Sequence, residues 1–87
     1  MTPAYELTVT LPPDELALTA AGKALDGRMC TVDAILDDTG QAKTVVAVRL
    51  PTTALAPTVV QFDKLLRREG CEHAMAVRIL DTNGGTQ

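Results

Sequence analysis

An α+β sandwich is predicted by three features of the chain. Four stretches alternate apolar and polar residues at a period of two, as half-buried strands do. Two others carry their apolar residues at helical spacing. The order along the chain is strand, helix, strand, strand, helix, strand, so each helix crosses between strands and a hairpin separates the two crossovers.

The first strand, about Tyr5 to Leu11, places Tyr5, Leu7, Val9 and Leu11 on one face and Glu6, Thr8 and Thr10 on the other. Pro12 and Pro13 end it, since proline cannot donate to a ladder. Asp14 is a good N-cap for a helix running to about Leu25, with Glu15 in the favourable first turn and Asp26-Gly27 as the stop. Leu16, Ala17, Ala20, Ala21, Ala24 and Leu25 form its apolar arc. Gly22 within that span costs about 1 kcal/mol against alanine.

The hairpin follows. Cys30, Val32, Ala34 and Leu36 share a face of its first strand, and Thr44, Val46, Val48 and Leu50 the same face of its second. Asp37 to Gly40 make the turn, where glycine supplies a positive φ. Pro51 closes the second strand. The next helix is predicted to begin between Ala54 and Pro57 and to end at Glu69, with Gly70 as its stop. Leu55, Val59, Phe62, Leu65 and Leu66 fall on its inner side; Gln61, Lys64, Arg67 and Arg68 fall on its outer side. The last strand, Glu72 to Leu80, turns Met75, Val77 and Ile79 inward.

This order matches the ferredoxin-like βαββαβ arrangement, four antiparallel strands in the order 4-1-3-2 with both helices on one face. The domain is expected to span residues 1–81, with 82–87 as a flexible tail of frayed-terminus composition. Its second sheet face then has no cover. Val45, Ala47, Ala74 and Ala76 make a flat apolar patch there, flanked by Arg49 and Arg78. Such a face is a candidate protein-binding surface. A second candidate is the basic cluster Lys64, Arg67 and Arg68 at the end of the second helix, which also complements the helix dipole.

Composition narrows the function. The chain has 87 residues, 46% of them hydrophobic, with one Phe, one Tyr and no Trp. A domain of this size buries roughly 60 to 65% of its unfolded surface, here with Val, Leu, Ile, Ala and Met. A net charge of -3 gives no long-range attraction for phosphate backbones, and base stacking needs exposed aromatic platforms. Direct nucleic-acid binding is therefore not expected. Neither a membrane-spanning run nor a signal core is visible, so a cytoplasmic protein is expected.

No cofactor and no metal is expected either. Cys71-x-His73 has spacing that zinc accepts, but in the predicted order Cys30 and Cys71 lie on opposite sheet edges, too far apart for one ion or one disulfide. Both cysteines read as small inert hydrophobes and His73 as a surface residue at a strand start. The chain has no serine and one histidine, so no nucleophile and base pair is evident. Asp37 and Asp38 read as solvated turn carboxylates. Catalysis is accordingly not expected.

Known families with this strand order depart from the chain at its first turn. Heavy-metal-binding domains carry paired cysteines where this chain has Pro12-Pro13-Asp14. Acylphosphatases place a glycine-rich anion loop with arginine there, and amino-acid-sensing regulatory domains often a glycine or a small polar loop. Small phage-encoded inhibitors, anti-CRISPR proteins among them, are similar in size, mild acidity and lack of a catalytic motif, a likeness of bulk properties that no residue carries. The expected function is non-enzymatic binding of another protein or of a second copy, as an inhibitor or regulator using the uncovered face. The alternative is a small-ligand-sensing regulatory domain whose site forms at a homodimer interface near Pro12 to Asp14.

Overall fold

A computed structural model describes residues 4–80; the expected tail at 82–87 lies outside them. The elements are β1 (Ala4–Leu11), α1 (Glu15–Leu25), β2 (Cys30–Leu36), β3 (Ala42–Pro51), α2 (Thr52–Arg68) and β4 (Ala74–Leu80). The sheet runs β2-β3-β1-β4, the predicted order read from its other edge, and every neighbouring pair is antiparallel.

Local chemistry explains most boundaries. The Asp14 side chain accepts from the Ala17 amide at 2.8 Å, satisfying one of the donors left free at the start of α1. Asp26 and Gly27 take φ of 52° and 82°, the left-handed pair that turns the chain out of the helix. Asp37 organises the hairpin turn. One of its carboxylate oxygens accepts from the Thr39 amide, the Thr39 hydroxyl and the Gln41 amide, at 2.9, 2.6 and 2.9 Å. These bonds, the Thr39 hydroxyl foremost, hold its pKa below the usual carboxylate value. Asp37 is thus a structural part of the turn, and only the exposed Asp38 fits the reading of a solvated carboxylate.

The second helix departs from expectation. It starts at Thr52, directly after the strand, so Pro57 lies inside it. Proline there forfeits the bond to the Thr53 carbonyl, but both residues are exposed and water can reach that oxygen. At its other end Glu69 caps the helix instead of belonging to it, and β4 begins at Ala74, two residues later than predicted.

The core lies between the helices and the two central strands. Leu7, Val9 and Leu11 of β1 meet Val46, Val48 and Leu50 of β3, beneath Ala17, Ala20, Ala21, Ala24 and Leu25 of α1 and Phe62 and Leu66 of α2. Thr58 is also buried; it lies four residues before Phe62 and continues the apolar stripe that its hydroxyl disguises in the sequence.

Cover thins beyond those two strands, where Met75 of β4 is the one helix-facing edge residue half-buried against the core. Register places Cys30, Val32, Ala34 and Leu36 of β2 on the helix-facing side, opposite Val48, Val46, Thr44 and Ala42, yet every residue of β2 is exposed. On the far edge Val77 and Ile79 face the helix side beside Leu7 and Tyr5 and remain 49% and 71% exposed. Leu16, predicted in the arc of α1, is exposed as well. Four of the five buried residues of α1 are alanines, side chains too short to reach out over an edge strand.

Candidate functional site

Three rows of side chains cross the open sheet face. Glu6 lies between Arg49 of β3 and Arg78 of β4; Thr8 between Ala47 and Ala76; Thr10 between Val45 and Ala74. All six sheet residues singled out in the sequence therefore share one surface. Flanked by an arginine on each side, Glu6 is bound by one of them: Arg78 Nη2 donates to Glu6 Oε1 at 2.7 Å. The Arg49 side chain makes no hydrogen bond or ion pair among the described residues and remains an uncommitted cation.

Lys64, Arg67 and Arg68 sit on α2, in the layer opposite that face, so the two candidate surfaces are separate. All three are exposed. Arg67 is engaged within its own helix, with Nε 3.0 Å from Asp63 Oδ1, an i,i+4 pair of the kind that contributes a few tenths of a kcal/mol.

His73 corrects a sequence expectation. Its side chain is only 12% exposed and lies between two acceptors, with Nε2 2.9 Å from Asp63 Oδ1 and Nδ1 3.0 Å from the Cys71 carbonyl oxygen. The ring ties the start of β4 to α2. The bond from His73, followed by that from Arg67, lowers the Asp63 pKa below the ordinary carboxylate value. Sequence could not show this link, because the partners are ten residues apart and meet only when β4 docks.

The cysteines stand apart, on opposite edge strands or their approaches. Cys30, read from the sequence as a small inert hydrophobe on the apolar face of its strand, is exposed. Cys71 is half-buried, and desolvation, with Asp14 and Glu69 nearby, raises its pKa; the thiol stays protonated and weakly nucleophilic. Among the described residues no three His, Cys, Asp or Glu side chains gather where they could hold a metal ion. No described helix is long and apolar enough to cross a membrane.

No protein-family model and no curated protein matches the chain. Solved structures do. An unknown protein from Galdieria sulphuraria superposes with a TM-score of 0.60 at 16% identity, over 92% of this chain and 50% of that one. Formyltetrahydrofolate deformylase from Burkholderia mallei gives 0.51 at 23% identity, over 83% of this chain and 27% of that one. The chain has the ferredoxin-like fold. The ligand-free regulatory subunit of aspartate kinase from Thermus thermophilus is more distant, at 0.47 and 16% identity, over 85% and 54%. The chain thus spans about half the length of the first of these proteins and about a quarter of the deformylase.

Proposed function

We propose that this chain is a non-catalytic regulatory domain that binds a small ligand at a site completed by a second copy. The observation that carries this reading is the bare edge strand β2. Its outer main-chain edge has no partner strand among the described residues, and its helix-facing side presents Val32 and Leu36, 58% and 72% exposed. An unpaired edge of this kind templates the pairing of another strand.

Two copies joined antiparallel through β2 about a two-fold axis extend one continuous sheet. A register centred on Ala34 sets Val32 against the second copy's Leu36 and places Asp33 opposite Ile35, which avoids a carboxylate facing itself. Leu36 lies at the same end of the sheet as the first turn, since Leu11 pairs with Thr44 and Thr44 with Ala34. The ligand site is proposed there, between the turn at Pro12 to Asp14 and the second copy. The non-catalytic reading is supported by a histidine engaged with Asp63 and the Cys71 carbonyl in a structural link and by the raised pKa of the Cys71 thiol. The likeness to about a quarter of a deformylase supports a unit that can serve within a larger assembly.

Sedimentation of the wild type beside Val32→Lys tests the reading. The wild type is expected to dimerise and the variant to remain monomeric with an unchanged melting temperature. A wild type that stays monomeric overturns it. A second reading, an inhibitor or adaptor that docks another protein on the open face through Val45, Ala47, Arg49, Ala74, Ala76 and Arg78, is favoured by the uncommitted Arg49. Charge reversal at Arg49 and Arg78 that leaves partner binding intact would exclude it.

A further inference from the structure

The open face is not flat at the end where β2 begins. There a concavity of about 580 Å³ is lined by Arg28 and Met29 of the α1–β2 connection, Cys30 and Thr31 of β2, Ala47 and Arg49 of β3, and Glu6 of β1. The side chains of Arg28 and Arg49 each lack a hydrogen bond or ion pair among the described residues. The one carboxylate in the lining, Glu6, is already paired with Arg78 at 2.7 Å. Two arginine side chains without an ion-pair partner among the described residues thus line one hollow, in a protein whose net charge is -3. Global charge does not account for this local excess of cations.

Guanidinium forks match carboxylate and phosphate oxygens in pairs, and a charge-assisted pair is roughly twice as strong as a neutral hydrogen bond. Thr31 adds a hydroxyl, while Ala47 and the side chain of Met29, which is 93% exposed, supply apolar walls. We propose that this hollow binds a compact organic dianion, with Arg28 and Arg49 sharing its two negative charges and Met29 closing over its carbon skeleton. The assignment goes beyond the regulatory reading. It adds a separate anion site on the open face, at the opposite end of β2 from the first turn, that needs no second copy to complete it.

Nuclear magnetic resonance titration of the wild type with a phosphate monoester (glycerol 3-phosphate), a dicarboxylate (succinate) and neutral glycerol tests it. Expected are saturable shifts of the Arg28 and Arg49 Nε–H signals and of the Thr31 and Ala47 amides with one or both dianions, and none with glycerol. The two dianion arms distinguish a phosphate from a carboxylate ligand. Arg49→Gln and Arg28→Gln, both at exposed positions, should each weaken binding by about tenfold, the effect of losing one charge-assisted pair. Shifts confined to the first turn and the β2 edge would overturn this site and leave the regulatory reading standing. Saturable binding that both variants retain would also overturn it. The absence of any shift with either dianion overturns it too, and the regulatory reading is then judged separately by the sedimentation of wild type and Val32→Lys.

Discussion

Asp63 is the residue whose chemistry reaches furthest, since one of its oxygens meets both Arg67 and His73. Because its folded pKa is depressed, it contributes stability that is complete above its unfolded-state value of 3.8 and is lost as the pH falls through the lower folded value. Asp63→Asn should therefore flatten the acid limb of the stability profile, measured by denaturant melts across that range. In His73→Ala the Asp63 carboxyl, followed by carbon NMR, should titrate closer to its ordinary value, because the larger of the two bonds holding it down is gone. An unchanged midpoint would assign the shift to Arg67 alone. The sequence reading placed His73 on the surface because nothing local marks it. Its burial depends on a carboxylate delivered by another element, and period-two alternation says which face a residue occupies without saying what waits there.

Elements were more legible than their limits. Asp14, Asp26-Gly27 and Gly40 act through short-range chemistry, so the start and stop of α1 and the hairpin turn could be read directly. Asp14→Ala should cost about 1 kcal/mol in chemical denaturation. Gly22 is exposed in mid-helix, and a Cβ built on it meets nothing within 4 Å. Gly22→Ala should therefore raise stability by about 0.5 to 1 kcal/mol; a loss would mean that the glycine serves something other than the helix. The start of α2 was misplaced because proline favours a first turn only as a statistical rule. Exposure of the Thr53 carbonyl lets this helix tolerate Pro57 one turn further in. Coverage of the edge strands was not legible at all: alternation marked Val32, Leu36, Val77 and Ile79 as inward, and they are, but the buried side chains of α1 are mostly alanines, too short to reach out over an edge strand.

For the whole molecule, strand order and the membership of both sheet faces followed from pattern and topology, and the open-face residues occupy one surface as expected. What binds there depends on pairings between distant strands, such as the choice of Glu6 for Arg78 over Arg49. Stability and association should separate cleanly. Phe62→Ala, at a fully buried position, should cost about 3 to 5 kcal/mol in denaturant melts. Leu36→Lys, at an exposed one, should stay within about 0.5 kcal/mol of wild type while abolishing self-association in sedimentation. A Leu36→Lys protein that still pairs would show that β2 is not the edge through which copies meet.

The full exposure of β2 also bears on how such a chain can change over evolutionary time. Its neighbour β3 and the central β1 carry the core, so the seven positions of β2 are largely released from the demand of keeping the protein folded. Substitutions there can accumulate at little thermodynamic cost while β1 and β3 stay fixed. The strand best placed to recognise something is thus the one freest to drift, and a lineage built on this scaffold could exchange one partner for another without passing through an unfolded intermediate.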